Sequence, residues 1–334
     1  MILKREEEMS VEIKPSASNI ELRIEETHSV SSLITNPYIT AATSNNTRKA
    51  YISDVRHFER WGGKLPASPE TIAHYLQYYA PKLNSRTIAR RLTAIKQWHH
   101  YQGLSDPTQH PAISKIMKGI HRLHGKPKQK AHPLGMDELV MLVKYLAQQG
   151  SLSAMRDNAL IQVGFLGAFR RSELVQIEVE HLNWKAEGLE ILIPGSKTDQ
   201  THQGEYCALP YGQGLLCPVT ALKAWLEVSK IKNGAIFRMI KKGEKIQFKA
   251  LTPLSVNLIL KKNAAACGLN AIEKLSGHSF RRGMASNAGR LGANLITIMK
   301  QGRWKNTSTM IEYIEAGERF KENAALKILQ AAKE

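Results

Sequence analysis

His278-Ser-Phe-Arg281-Arg282, followed by Gly302-Arg-Trp304 and then Tyr313, is the stretch from which the rest of the chain is best read. Its apolar spacing predicts helices over 280–291, 296–301 and 307–314, so this end of the chain is α-rich. His278-Ser-Phe-Arg281 opens the first of them, with Ser279 as the expected cap. A helix N-terminus offers free N–H groups and the positive end of the dipole, which favour an anion. His278, Arg281 and Arg282 add cations there, and guanidinium matches a phosphate bidentately. The plainer reading is a helix start with incidental charges. Trp304 and Tyr313, taken singly, read as core aromatics. Taken together, the groups form an anion clamp beside an oxygen nucleophile. A tyrosine hydroxyl attacks at neutral pH only where the charge that develops is stabilised.

Upstream, the apolar helix ending in Gly164-Phe-Leu-Gly-Ala-Phe169 runs straight into Arg170-Arg171-Ser172-Glu173-Leu174. A charge directly after a buried segment is either a helix-end cation or a deliberately placed group. Glu173, three residues on, is positioned to orient Arg170. Leu189–Ile193 and Gly204–Leu209 alternate as two strands joined by the polar Gly195–Gln200 turn region, which carries Lys197. A lysine at a hairpin tip is ordinarily only solvated. Gly195-Ser-Lys-Thr198 lacks the spacing of a nucleotide-binding phosphate loop and does not open a helix, which excludes an NTPase. Further helices are expected over 136–149, 153–168, 217–228 and 254–267, and a last amphipathic helix over 318–332.

The first part of the chain reads differently. Residues 1–36 are rich in Glu and Ser without sustained periodicity, a flexible acidic tail. Residues 37–124 read as four helices. Asn45-Asn46-Thr47 is expected to cap the first, which Gly62-Gly63 stops. Ser68-Pro69 opens the second. Ser85 is expected to cap the third, with Ile88, Leu92 and Ile95 inward and Arg86, Arg90 and Lys96 outward. The fourth sets Ile113, Ile116, Met117, Ile120 and Leu123 on one side. From Pro107 to Met136 there is no acidic residue, only Lys115, Lys118, Arg122, Lys126, Lys128 and Lys130. Residues 125–132 have the composition of a basic linker, either a solvated hinge or a segment that follows a phosphate backbone. Residues 133–334 form a larger mixed domain.

Composition limits the function. The 334 residues carry a net charge of +18, and residues 1–35 are net acidic, so the folded remainder is more basic still. Such a body meets polyanions, nucleic acid first. Three cysteines without CxxC or Cys/His spacing imply a reduced, cytoplasmic compartment and no zinc site. His121 and His124 share a helix face with no third ligand and belong to the basic face. No apolar run spans a membrane, and no signal peptide is expected.

Arg170, Lys197, His278-x-x-Arg281, Trp304 and Tyr313, in this order and spacing, resemble the tyrosine recombinase (phage integrase) family. Arg170-x-Ser-Glu-Leu174 is similar to its first arginine box. His278-x-Phe-Arg281 is similar to its H-x-L-R box, with Phe280 for leucine. Gly302-Arg-Trp304 with Tyr313 is similar to its third box and nucleophile, and Lys197 to its β-hairpin lysine. The resemblance covers roughly residues 37–320. Most members carry histidine where Trp304 stands; tryptophan there is Cre-like. Both side chains donate an N–H, but tryptophan moves no proton. The acidic tail is too short and too negative for the arm-binding domain of lambda-type integrases.

The resemblance implies a mainly α fold with an all-helical core-binding domain and an α+β catalytic domain holding a small antiparallel sheet. It implies that Tyr313 attacks a backbone phosphate, forming a 3′-phosphotyrosyl bond, and that a 5′-hydroxyl later rejoins the strand. Arg170, Arg281 and Trp304 would hold the phosphate, and His278 and Lys197 would handle protons, with no cofactor and no metal. Arg86, Arg90, Lys96, Lys115, Lys118, Arg122, Lys126, Lys128, Lys130 and Arg282 are the candidate DNA contacts. Expected partners are duplex DNA with inverted-repeat sites and, on DNA, three further copies of a chain that is a monomer when free. The rival readings are a type IB topoisomerase-like enzyme and a non-catalytic regulator on the same scaffold.

Overall fold

The computed structural model describes residues 42–127, 129–194 and 204–318, together with 325, 328, 329 and 332. The acidic tail, Lys128, the hairpin tip with Lys197 and most of the expected last helix lie outside the described residues. The chain divides into two compact units, 1–128 and 129–334.

The first unit is built of α1 (Asn45–Trp61), α2 (Pro69–Tyr79), α3 (Ser85–Tyr101) and α4 (Pro111–His124). Ser44, not the Asn-Asn-Thr triplet, caps α1, its hydroxyl accepting from Thr47 N at 3.2 Å. Asn84, not Ser85, caps α3, through Oδ1 and Arg86 N at 3.0 Å. In both cases the preference for a short polar cap holds and the residue one position earlier fills it. Gly62 ends α1 with φ 109°, a conformation that favours glycine. Phe58, Ile72, Tyr75, Leu76, Ile88, Ile95, Ile113 and Ile120 form the core. Leu123 departs from its expected inward place and is 80% exposed, because the last turn of α4 runs past that core.

The second unit contains α5 (Met136–Gln148), α6 (Leu152–Leu166) and the single turn α7 (Arg171–Leu174). Strands β1 (Leu182–Trp184), β2 (Gly188–Ile193) and β3 (Glu205–Pro210) follow, then α8 (Pro218–Ser229). Next come β4 (Arg238–Lys241), β5 (Lys245–Ala250) and α9 (Pro253–Ala266). The last helices are α10 (Gly277–Arg290), α11 (Leu295–Gly302) and α12 (Thr307–Glu318). Strands β1-β2-β3 make one antiparallel sheet, in which Ile193 faces Glu205 at the mouth of the hairpin. The β4–β5 hairpin escapes the alternation pattern because lysines fill its strands. Its turn puts Gly243 and Glu244 at φ 77° and 56°, which matches the twist of a two-stranded ribbon.

Helix α6 is buried on all sides and runs through the core, with Ala159, Leu160, Ile161, Val163 and Phe165 buried beside the polar Arg156, Asp157 and Gln162. Helix α10 lies against it at two glycines. A Cβ on Gly164 would meet the Phe280 ring at 2.9 Å, and one on Gly283 would meet the Phe165 ring at 2.8 Å. The missing side chains let α10 approach closely, which brings Arg281 to the C-terminal end of α6.

Candidate active site

Helix α6 ends in Gly167-Ala168-Phe169-Arg170. Ala168 has φ 46° and reverses the chain, so Arg170 becomes the N-cap of α7. The last carbonyls of a helix have no partner within it. Here the amide of Gln301 donates to Leu166 O at 2.9 Å, Arg303 Nη2 to Gly167 O at 3.2 Å, and Arg281 Nη1 to Ala168 O. Three side chains from α10 and the end of α11 therefore complete one helix end, and two of them are cations at the negative pole of its dipole.

Glu173 organises the same turn. Its Oε2 accepts the Arg170 backbone N–H at 3.0 Å, and its Oε1 pairs with Arg170 Nη1. Arg303 Nη2 stands 3.5 Å from Oε2. Burial alone would push the Glu173 carboxyl up, but the guanidinium and N–H of Arg170, with Arg303, outweigh it and hold it below the usual carboxylate range. The balance is uneven. Arg170, Arg281 and Arg303 share one carboxylate, and Arg281 is only 4% exposed. Burial first, then the like charge of Arg170, pulls the Arg281 guanidinium down to about 9, which still leaves it charged at neutral pH. An anion bound beside these groups relieves both penalties.

The nucleophile candidate joins through aromatic contacts. The Arg281 guanidinium carbon sits 4.3 Å from the centre of the Trp304 ring. The Trp304 and Tyr313 rings meet edge to face, with centroids 6.3 Å apart. The Arg282 guanidinium carbon lies 5.2 Å from the Tyr313 ring. Arg282, expected as a DNA contact, is buried against the tyrosine. His278 is exposed in the first turn of α10, its N–H donating to the Ser276 hydroxyl at 3.3 Å. Ser276, rather than the expected Ser279, is the N-cap; Ser279 returns the bond from the buried side, accepting Ser276 N at 3.0 Å.

One local device shapes the third box. A Cβ on Gly302 would fall 1.7 Å from the Trp304 ring, so the glycine gives the indole its place. Arg303, Gln301 and Phe169 belong to this arrangement and were not singled out from sequence. The one available signal was a charged residue set between Gly302 and Trp304.

The remaining candidates lie on other surfaces. Arg86, Arg90, Lys96, Lys115, Lys118, Arg122, Lys126 and Lys130 are exposed. Arg90 and Lys96 also pair with Asp54 and Asp106, at 2.9 and 3.6 Å, and Lys130 pairs with Glu312. Among the described residues no group of His, Cys, Asp and Glu has the arrangement of a metal site, and no helix is long and apolar enough to cross a membrane.

Arginines gathered at the turn after α6, with Trp304 and Tyr313 beside them, make a cationic site on this fold, and comparison with known proteins specifies the class. The phage integrase family pattern matches residues 133–319, and the pattern of the phage integrase N-terminal SAM-like domain matches residues 38–103. The integrase/recombinase xerD homolog of Selenomonas ruminantium is 39% identical over 290 residues, 84% of either chain. Recombinase cre of Escherichia phage P1 is 25% identical over 297 residues, covering 82% of this chain and 84% of that one. In fold the chain is similar to the XerH site-specific recombinase bound to palindromic difH substrate. The TM-score is 0.57 at 20% identity, over 78% of this chain and 72% of that one. The chain belongs to the phage integrase family: it is a site-specific tyrosine recombinase, an enzyme that cleaves and rejoins DNA.

Proposed function

We propose that Tyr313 is the nucleophile of this recombinase and that Arg170, Arg281 and Trp304 hold the scissile phosphate. The observation that carries the proposal is the linkage of these residues in one unit. Arg170 and Arg281 are both tied to the turn after α6, and the Trp304 ring touches Arg281 on one side and Tyr313 on the other. The Tyr313 oxygen attacks phosphorus, and the bond to the 5′ oxygen breaks. His278 takes the tyrosine proton and Lys197 protonates the leaving oxygen. The product is a 3′-phosphotyrosyl ester, and attack by another 5′-hydroxyl reverses the steps. The ester conserves the bond energy, so no nucleotide or other cofactor enters. Arg170 and Arg281 neutralise the non-bridging oxygens as charge builds.

Trp304 occupies the third-box position in the Cre-like manner. Because it moves no proton, it serves as a platform: its ring supports the Arg281 guanidinium. The partner is duplex DNA carrying inverted repeats, in line with the palindromic substrate of the XerH complex. Four copies assemble on two duplexes and separate when free. The exposed lysines and arginines of α3, α4 and the 125–132 linker contact phosphates. Residues 37–124 act as the core-binding domain and 133–334 as the catalytic domain. The enzyme works in the cytoplasm, where its cysteines, all free among the described residues, stay reduced.

The test is Tyr313→Phe on a nicked suicide substrate that traps the covalent complex. DNA binding should persist and the adduct should vanish. An adduct trapped on the variant would remove Tyr313 from the role.

A further inference from the structure

Arg303 has no part in the scheme above, yet the fold treats it unusually. It caps α11 in the left-handed region, at φ 54° and ψ 49°, where glycine is the ordinary choice. It is only 7% exposed. Its guanidinium is engaged on several sides. Nη1 donates to Gln301 O at 2.9 Å, and Nη2 donates to Gly167 O at 3.2 Å and faces Glu173 at 3.5 Å. The guanidinium carbon stands 4.8 Å from the centre of the Phe169 ring. Apart from the Cys207 thiol, these groups outside its own turn belong to the segment 167–173. A helix end alone requires none of this, since a glycine there would close α11 without a buried charge.

What Arg303 does hold is the base of Arg170. Gly167 O and the Phe169 ring lie within three residues of Arg170. Glu173 is the carboxylate that Arg170 also uses, through its backbone N–H and Nη1. With Arg303 in place, the carboxylate is gripped from both sides and the Arg170 guanidinium has one orientation. Without it, Glu173 keeps its two bonds to Arg170, and the pair loses its tie to the end of α11. We propose that Arg303 is a positioning residue for Arg170, acting through Glu173 and the Gly167–Phe169 turn. The proposal rests on Arg170 as a phosphate-binding group.

The experiment measures single-turnover cleavage of a suicide substrate, and DNA affinity, for Arg303→Gly, Arg303→Lys, Arg170→Ala and the double variant Arg170→Ala/Arg303→Gly. Each is run on a normal phosphodiester and on a substrate with a neutral methylphosphonate at the cleavage position. Arg303→Gly keeps the left-handed turn and removes the guanidinium. Arg303→Lys keeps the charge without the planar fork. Both should bind DNA within about 2-fold of the parent and cleave about 10²-fold more slowly, the scale of a misplaced reacting group. The methylphosphonate, which needs less charge neutralisation, should relieve the Arg170→Ala and Arg303 defects alike. The double variant should cleave no more slowly than Arg170→Ala, since residues acting through one group are not additive.

Parental cleavage by Arg303→Gly, or a defect that multiplies with that of Arg170→Ala, would overturn the proposal. If Arg303→Gly melts early, Arg303→Lys decides by the same criteria. Parental cleavage by Arg170→Ala is a different failure: it removes the phosphate role of Arg170 itself.

Discussion

Two clusters in this chain set one buried carboxylate among arginines, one cluster in each unit. In the N-terminal unit Asp54 on α1 meets Arg90 at 2.9 Å and Arg91 at 3.6 Å from α3. Arg91 reaches His57 Nε2 at 2.8 Å, and His57 Nδ1 meets the Tyr75 hydroxyl at 3.0 Å. The Arg90 side chain is 51% exposed, so water screens the extra positive charge. In the C-terminal unit Glu173 faces Arg170 and Arg303, and Arg281 donates from α10 to the same turn. There Arg281 and Arg303 are both buried, and water does little to screen them. The first cluster opens to water through Arg90, although Asp54 Oδ2 and Arg91 Nε are buried without a hydrogen-bond partner. The second holds a positive excess away from solvent, at a cost met only when an anion arrives. The two tyrosines differ in burial. Burial, opposed by Arg91, lifts the Tyr75 hydroxyl to about 12, which keeps its proton in place. Tyr313 is half-buried, with the Arg282 guanidinium against its ring.

The comparison breaks if both clusters respond alike to losing a member. Arg281→Ala should reduce cleavage by about 10²–10³-fold, the usual loss when a group that stabilises transition-state charge is removed, while DNA affinity changes by a few fold. Equal losses in the two would make Arg281 a binding residue only. Asp54→Ala should do the reverse. It leaves Arg91 partly buried without its counter-charge and should lower stability by about 2–3 kcal/mol. The melting transition of the N-terminal unit should report it, with the rate of strand cleavage at saturating enzyme little changed.

The sequence made the second cluster legible and left the first unread. Arg170, His278, Arg281, Trp304 and Tyr313 stand in recognisable boxes, because chemistry restricts residue type and order. Asp54 and His57 sit on an amphipathic helix whose pattern marks polar residues as solvent-facing. Only tertiary packing shows that Asp54 is buried against α3. Helix positions are legible because the amphipathic helices keep an apolar period and the buried α6 shows as a long apolar run after Asn158. Caps were misread by one to three positions where several short polar residues stood together, as at Ser44, Asn84 and Ser276. The β4–β5 hairpin was missed because a solvated two-stranded ribbon has no apolar face to announce it. Arg303 was passed over because backbone conformation is not written in composition: an arginine in a left-handed turn looks like any other basic residue.

A smaller effect sharpens the role of the third box. Gly302→Ala would put a methyl group into the space of the Trp304 indole. The ring must move, and with it the support under Arg281 and the edge contact with Tyr313. Cleavage should fall by about 10-fold, less than in Arg281→Ala, because the guanidinium keeps its bond to Ala168 O. An indole unmoved in a structure of the variant, with parental cleavage, would show that Trp304 is only packing.

The last contrast is in pH. Burial first, then the charge of Arg91, lowers His57 below its ordinary 6.5. The unfolded chain therefore binds a proton that the folded one resists, so the contribution of His57 to stability is lost as pH falls from about 6.5 toward the lower folded value. Glu173 is also depressed, from an ordinary 4.5. Its contribution is fully present above that value and is lost only as pH falls through the folded one. Between pH 7 and pH 5 acid should thus loosen the N-terminal cluster while the arginine site stays intact. Hydrogen exchange on the full chain should show faster opening of α1 and α3 at pH 5.5, with α7 and the end of α6 unchanged. His57→Gln should abolish that difference. Acceleration at α7 in the same range would mean that the carboxylate of Glu173 is not held by its arginines.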